Sequence, residues 1–329
     1  MISRRALTSA IGVVALLSAS YFPMTSACAA TGETAIIVPY PPGGPLDVSA
    51  RALADAVKDK LGTTIVENRP GAGGNVGMST AKRRDGDGKT LVMGAVATLA
   101  INPHLYPTLP YDPKKDFKSV TLVATAPNVV VITPAFAEKN NIKNLQDLVA
   151  YAKANPGKLN FASGGNGSAG HLAAALLQKR CGIEMTHIPF NGAAQGLLSV
   201  LAGQTDLIID NLASAAGNIR GGKLIALAVT TKARTPLMPE IPTVEESGIP
   251  DFDIYTWFGL QVPASTPDDV VQKLHDAFAP ALATEEMKKR FEGFGATPAP
   301  MTPAKFDKLI ADEYAKYDEL VEISGAKVD

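Results

Sequence analysis

Cysteine is nearly absent from this sequence: the 329 residues contain only Cys28 and Cys181. Cys28 lies in an N-terminal segment that we expect to be removed, so no disulfide can form within the mature chain. We interpret Cys181 as a small apolar residue of the interior, because it follows the apolar pair Leu176 and Leu177. An internal disulfide framework is therefore excluded.

The sequence also lacks an excess of basic charge and any spacing typical of a metal site. It has 31 Lys and Arg against 32 Asp and Glu and no basic stripe, which argues against nucleic-acid binding. Its four histidines show no H-x-x-x-H or similar spacing, so we expect no metal and no cofactor. The composition, 46% hydrophobic and 19% charged, is that of an ordinary globular protein.

Long apolar runs are missing beyond the N-terminus, where crossing a bilayer would take about 20 apolar residues. The N-terminus has Arg4 and Arg5, then an apolar stretch from Ala6 to Leu17, then the small-x-small pattern Ala27-Cys28-Ala29. This order is typical of a secretory signal peptide, so we predict that residues 1–29 are removed on export. Their removal would leave 29 basic against 32 acidic residues.

Two details of export stay open at this point. The arginine pair is compatible with Sec export and with twin-arginine export. A lipid anchor on Cys28 is disfavoured, because Thr25 stands where a lipobox has Leu.

Short β-prone runs alternate with helical patterns along the rest of the chain, which predicts an α/β fold with parallel strands. The first unit is a strand at 35–38, a Pro- and Gly-rich loop at 39–44 and a helix at 47–61, with Asp47 as its expected N-cap. A similar unit recurs mid-chain, where a strand at 159–162 leads into the glycine-rich residues 163–170.

About 300 mature residues exceed a comfortable single core, so we expect two lobes. Residues 30–126 plus 256–329 are predicted to form lobe 1, and residues 127–255 are predicted to form lobe 2. Two apolar runs, at 120–123 and 129–132, lie at the first crossing between them. The C-terminal part is predicted to be helical and to cover lobe 1.

Two glycine-rich loops, Pro41–Asp47 and Ser163–Gly170, each lie between the end of a strand and the start of a helix. Open α/β sheets place ligands at this position. Exposed N–H groups and the helix dipole there favour a negative charge, and glycine lets a ligand approach the main chain closely. The pair predicts a carboxylate site across a cleft; the alternative is that each loop is only a tight turn with a helix cap.

The second loop also matches two enzyme motifs imperfectly. Gly165–Gly170 fits G-x-G-x-x-G, but Glu184, the acid at about the expected distance, starts the next strand instead of ending it. Ser168 is placed as in G-x-S-x-G, but Asn166 replaces the first glycine and His171 lies one turn along the same helix. We therefore predict a binding protein and not an enzyme.

The roles of Asp210-Asn211 and of Trp257 each have two possible interpretations. Asp210-Asn211, at the end of a strand, either face the cleft or cap the strand. Trp257, the only tryptophan, either lines the cleft or packs in the core, and its apolar neighbours favour the core.

Taken together, the sequence resembles the tripartite tricarboxylate transporter solute receptors, the TctC-like or Bug family of bacterial periplasmic binding proteins. Each matching segment alone is weak, but their order and spacing are specific and cover nearly all of the mature chain. The segments are Val38–Gly44 with Asp47, Val66–Asn75, Leu109–Asp112, Gly167-Ser168 with His171-Leu172, His187–Phe190, Gly222–Leu224 and Ile241–Val244.

This resemblance implies a periplasmic, two-lobed α/β protein of the type II Venus-flytrap class with a ligand cleft between its lobes. It implies a small carboxylate as ligand and the membrane permease subunits of a tripartite transporter as partners; we expect a monomer. A sensor subunit for a signalling partner and an enzyme are the alternatives. The expected ligand-binding residues are Tyr40, Gly43, Gly44, Pro45, Leu46, Asp47, Thr98, Ser163, Gly165, Asn166, Gly167, Ser168, His171, Phe190, Asp210 and Asn211.

The sequence departs from the family pattern at several of these places. Leu46 stands where the family usually has a small or hydroxyl residue, and Asn191, Gln195 and Ile225 replace a common Lys, Pro and Arg. Because Leu46 would add an apolar surface beside the first loop, we expect a ligand with an apolar or aromatic body behind its carboxylate.

Overall fold

The computed structural model describes residues 33–326 and residue 328. The predicted signal peptide at residues 1–29 lies outside this range. Within the described range, every helix is too short or too polar to cross a membrane.

The strands in the described part of the chain join into one hydrogen-bonded sheet. They are β1 (Thr34–Val38), β2 (Thr64–Asn68), β3 (Thr90–Ala95), β4 (Phe117–Ile132), β5 (Leu159–Ser163), β6 (Met185–Pro189), β7 (Leu207–Asn211), β8 (Ile225–Val229), β9 (Tyr255–Pro263) and β10 (Thr297–Pro298). Their order is β2-β1-β3-β9-β4-β7-β5-β6, and β8 and β10 also pair with β4. The groups β2-β1-β3 and β7-β5-β6 are each parallel, as the alternating sequence pattern predicts.

The helices connect these strands and follow them to the C-terminus. They are α1 (Pro45–Ala56), α2 (Lys58–Leu61), α3 (Asn75–Lys82), α4 (Asn102–Leu105), α5 (Pro134–Asn140), α6 (Leu145–Ala154), α7 (Ala169–Cys181), α8 (Ala193–Leu201), α9 (Leu212–Arg220), α10 (Asp268–Leu282), α11 (Glu285–Gly293) and α12 (Pro303–Ser324). A 3₁₀ turn at Ala72–Gly74 precedes α3, and a π-helical turn at Ala97–Ile101 precedes α4.

The long strand β4 links the two parallel groups. Its residues up to Pro127 pair with β9, whereas Asn128 and the residues after it pair with β7 and β8. The sequence predicted two separate apolar runs here, and the structure joins them into one strand. Pro127 has no N–H to donate, and it lies at the point where the pairing partner changes, which is where a strand tolerates proline.

Three buried apolar clusters flank the sheet. Trp257 is 0% exposed, packs edge-on against Phe306 and donates its indole N–H to Glu313 at 3.0 Å. This placement agrees with the core interpretation of Trp257. Cys181 is half-buried at the rim of the largest cluster, so it is less enclosed than expected.

Three details of the predicted elements were wrong. The first helix begins at Pro45 with Gly44 as its N-cap, because proline at the first helical position is pre-organised for a helix; Asp47 lies in the first turn instead. The two-residue strand β10 was missed because it is too short to show a pattern. The C-terminal helix α12 packs against α7 as well as β4, so it does not cover only the first parallel group.

Candidate functional site

The residues predicted to bind a ligand lie at the carboxyl ends of strands and form two groups. In the first group, Tyr40–Asp47 follow β1 and Thr98 follows β3. In the second group, Ser163–His171 lie at the end of β5 and beyond it, Phe190 follows β6, and Asp210-Asn211 end β7. Since the strands within each group are parallel, the carboxyl ends of each group lie side by side, where open α/β sheets bind ligands.

Asp47 organises the first loop from inside. It is 3% exposed, and its carboxylate accepts hydrogen bonds from the Gly43 N–H, the Arg51 guanidinium and the Asn68 amide, each at 2.9 Å. Burial alone would raise the pKa of Asp47, but the hydrogen bonds from Arg51, Gly43 and Asn68 outweigh it, and the pKa is lowered. An ionised carboxylate has no hydrogen to donate to an anion, so the N–H groups of the loop's main chain are the better candidates for binding one.

Three main-chain donors remain free in the first loop. The N–H groups of Gly44, Leu46 and Asp47 donate to no residue in the described part of the chain. Pro45 has no N–H, and Val48 is the first residue to donate back along the helix, to the Gly44 oxygen at 3.0 Å. Free N–H groups in the first turn of a 12-residue helix, aligned with its dipole, favour the binding of an anion, so this loop is a candidate anion site.

The side chain of Leu46 does not contribute to this candidate anion site. Its side chain is 7% exposed and belongs to the buried cluster that includes Ile36, Val38 and Leu53. The side chain therefore packs in the core and adds no apolar surface beside the loop. The expectation of an apolar ligand body, which rested on Leu46, loses this support.

A third loop joins the first group. A Cβ placed on Gly74 would lie 2.6 Å from Thr98 Cγ2 and 3.2 Å from Tyr40 Oη, so the segments after β1, β2 and β3 converge there. Thr98 is 0% exposed, and its hydroxyl accepts from the Ala95 N–H at 3.0 Å, so it stabilises its own turn. Gly74 was not among the expected ligand-binding residues. It lies in a loop between a strand and a helix, as the two predicted loops do, so the same sequence pattern could have identified it.

Ser163 and two stacked histidines hold the start of the second loop. The Ser163 hydroxyl accepts from the Gly165 N–H at 3.1 Å and lies 2.6 Å from His187 Nε2. The His187 ring stacks on His171 and on Phe161, with ring centroids 3.9 and 4.7 Å apart. Burial lowers the pKa of His187 to about 3 and that of His171 to about 4, so both rings are neutral near pH 7. His187 was not among the expected site residues.

The end of the second loop is also held by hydrogen bonds between its own residues. Ser168 caps α7 by accepting the His171 N–H at 3.2 Å, and His171 Nδ1 accepts the Gly167 N–H at 3.2 Å. Gly167 has φ of 72°, and a Cβ there would lie 2.1 Å from Leu105 Cδ2, so the loop packs tightly against the segment after β3. Leu105 was missed because nothing in the sequence separates it from an ordinary core leucine.

The second loop also retains free main-chain donors. The N–H groups of Gly164, Asn166, Ala169 and Gly170 have no acceptor among residues 33–326. Ala169 and Gly170 open α7, a helix of 13 residues, so the helix dipole again favours an anion. The two predicted loops are thus alike: side chains fix the shape of each loop, and main-chain N–H groups stay available to donate to a ligand.

The remaining predicted residues line the second loop. Phe190 is half-buried, and its N–H donates to the Ser163 oxygen at 3.1 Å. Asp210 is 8% exposed. Its Oδ1 accepts from the Asn211 N–H and side-chain amide at 2.6 and 3.0 Å, while its Oδ2 accepts no hydrogen bond from the described residues. A Cβ on Gly164 would lie 3.5 Å from that Oδ2, so the carboxylate of Asp210 lies beside the second loop.

This fold and these loops define the class of the molecule: an α/β solute-binding protein of the periplasmic type, which confirms the predicted fold class. A family model described as "Tripartite tricarboxylate transporter family receptor" matches residues 49–325. The chain belongs to this family, and the predicted membership is confirmed.

Individual relatives agree with this assignment. The chain is similar to "Protein BugT" of Bordetella pertussis, with 34% identity over 319 residues, 96% of this chain and 94% of that protein. A solved structure of an R. palustris protein with adipate has 30% identity and a TM-score of 0.86, and the match covers 91% of this chain and 99% of that chain. MatC from Rhodopseudomonas palustris, solved with bound malate, has 30% identity and a TM-score of 0.81, and the match covers 88% of this chain and 99% of that chain.

Proposed function

We propose that this protein is an extracytoplasmic receptor that captures a small carboxylate and presents it to the permease subunits of a tripartite transporter, without chemistry on the ligand. The observation that carries the proposal is the pair of free main-chain donor sets at the starts of α1 and α7. Each set can hold one end of an anion without a basic side chain. Bound adipate and malate in two solved relatives support a carboxylate here.

The proposed mechanism is capture by closure of two lobes, residues 30–126 with 256–329 and residues 127–255. The change of pairing partner in β4 between Pro127 and Asn128 supports a hinge there, and β9 begins next to it at Tyr255. Ligand favours the closed form because only that form lets both donor sets engage one molecule.

The proposed location is the periplasm, reached by means of the signal peptide predicted at residues 1–29. The order of charged, apolar and small residues in that segment supports it, as does membership of a receptor family. We propose that the receptor acts as a monomer, since each chain carries both donor sets.

A calorimetric and thermal-shift screen of the purified protein against carboxylates tests the proposal. The panel holds tricarboxylates, short dicarboxylates, amino acids, benzoates and pyridine carboxylates, with matched alcohols as uncharged controls. An acid at a hundredfold its Kd adds about 2.7 kcal/mol of stability, which raises the midpoint of a chain of this length by roughly 4–5 °C. A shift with the acids and none with the alcohols is expected. If denaturation releases no co-purified ligand and no acid shifts the midpoint, the carboxylate assignment is wrong.

A further inference from the structure

Two side-chain acceptors at the end of β7 have no donor. Asp210 Oδ2 and Asn211 Oδ1 are both buried and accept no hydrogen bond from the described residues. Asp210 is 8% exposed, so bulk water does not replace the missing donor. Buried acceptors in proteins nearly always have a partner, so these two atoms are open to a donor from outside the chain.

No basic side chain among residues 33–326 pairs with the carboxylate of Asp210. Burial raises the pKa of Asp210 to about 6, and only hydrogen bonds from Asn211 oppose that rise. Among the elements packed against β7, α8 has no titratable side chain, and α7 presents His171 at this end. The basic residues Lys179, Arg180 and Arg220 lie in the last turns of α7 and α9, at the opposite ends of those helices.

Asp210 lies directly beside free main-chain donors. A Cβ on Gly164 would lie 3.5 Å from Asp210 Oδ2, and a Cβ on Gly170 would lie 3.5 Å from the Asp210 Cα. These two glycines carry free N–H groups in the second loop. The end of β7 therefore places an acceptor that favours a cation next to two glycines whose N–H groups can hold a carboxylate. A ligand with only carboxyl groups would leave the acceptor unmatched or place like charge against it.

We propose that the ligand carries a protonated amine adjacent to its carboxylate, that Asp210 accepts the amine, and that Asn211 Oδ1 is the second acceptor. The main-chain donors of Gly164 and Gly170 hold the neighbouring carboxylate. The substrate class is therefore the amino acids and not plain carboxylic acids. This assignment rests on the proposed function, which supplies the carboxylate.

Calorimetry of the purified protein with skeleton-matched acids tests the assignment. The pairs are propionate and alanine, succinate and aspartate, and glutarate and glutamate, with lactate and malate as hydroxy analogues. The amino member of at least one pair is expected to bind at least tenfold more tightly than its amine-free and hydroxy analogues. In Asp210→Asn this advantage is expected to fall at least tenfold, while the amine-free acid binds no more weakly.

Asp206→Asn is the matched control, since it removes one negative charge just before β7, at the end opposite Asp210. Asp206 accepts the Asn160 N–H at 2.7 Å, which an asparagine oxygen can also do, and the amino-acid advantage is expected to survive. In the wild type, the affinity for the amino acid is expected to fall as the pH drops through about 6 and Asp210 is protonated, whereas that for the amine-free acid does not fall.

The outcomes separate the two proposals. Amine-free or hydroxy acids that bind as tightly as the amino acids overturn the amine assignment and leave the carboxylate receptor standing. An amino-acid advantage that persists in Asp210→Asn overturns the role of Asp210. Absence of binding by every acid in both panels overturns the receptor proposal itself, and the amine assignment with it.

Discussion

Replacing Ala169 with proline removes one free N–H from the second loop while keeping the backbone shape. Ala169 is the first residue of α7, where proline fits a helix, and Ser168 before it has φ of −66° and ψ of 153°, the extended conformation that a residue before proline prefers. If the Ala169 N–H binds the ligand carboxylate, Ala169→Pro loses one hydrogen bond to a charged group. That bond contributes about 1.5–3 kcal/mol, which weakens binding roughly 10- to 100-fold.

The control is Glu285→Pro at the first position of α11, where Thr284 has φ of −69° and ψ of 147°. Both variants add proline after an extended capping residue, but only Ala169 lies in the predicted site. Isothermal titration with the acid that gives the largest thermal shift measures Kd, and urea unfolding without ligand reports any general damage. Equal Kd values for Ala169→Pro, Glu285→Pro and wild type would refute binding through the main chain of α7.

Further variants test the packing around the site. Gly167→Ala and Gly182→Ala both place alanine at positive φ, which costs roughly 1–2 kcal/mol of stability. Only the Cβ at position 167 would meet Leu105, so only Gly167→Ala is expected to weaken ligand binding. Equal Kd values for the two variants would contradict the close contact between the second loop and Leu105. Leu46→Thr is expected to lower the free energy of unfolding by about 2–4 kcal/mol in urea and to leave the preference between aromatic and aliphatic acids unchanged; a changed preference would restore Leu46 to the site. Because the pKa of Asp47 is lowered on folding, the stability advantage of wild type over Asp47→Asn should be present at neutral pH and shrink as the pH falls below about 4, which urea unfolding at several pH values checks.

Much of the fold was predictable from the sequence because Pro- and Gly-rich segments clearly mark where strands end and helices begin. The Pro- and Gly-rich residues 39–44 stop β1 and start α1 within a few residues, and residues 163–170 do the same between β5 and α7. β4 was predicted in two parts because Thr125 to Pro127 interrupt its apolar run. Pairing with β9 on one side of that interruption and with β7 and β8 on the other holds the chain extended through it, and such tertiary partners overrule local preference. The lobe boundaries stay a prediction.

The candidate site was predictable in position but not in detail. Parallel strands bring their carboxyl ends together, so the strand-end loops were expected to be near one another. Which atoms stay free depends on contacts between distant residues: Asp47 is satisfied partly by Asn68, 21 residues away, and Ser163 lies next to His187, 24 residues away. Such contacts leave no periodic signal, and for the same reason Leu105 was missed. The list of ligand-binding residues stays a prediction.

In both loops the side chains fix the loop shape and the main chain keeps free N–H groups, and this difference affects how ligand preference can arise. The polar atoms of Asp47, Ser163, Ser168 and His171 hold the loops in place, by bonds within the loops and to neighbouring residues. Substituting these residues would therefore change the shape of the loops before it changed their chemistry. Main-chain N–H groups hold any carboxylate and distinguish poorly between one acid and another. If the main chain holds the carboxylate, we expect ligand preference to come from buried side-chain atoms without a partner, and among those of the described residues only Asp210 carries a charge. For this reason a change of one residue at the end of β7 is expected to alter ligand choice more than any substitution in the two glycine-rich loops.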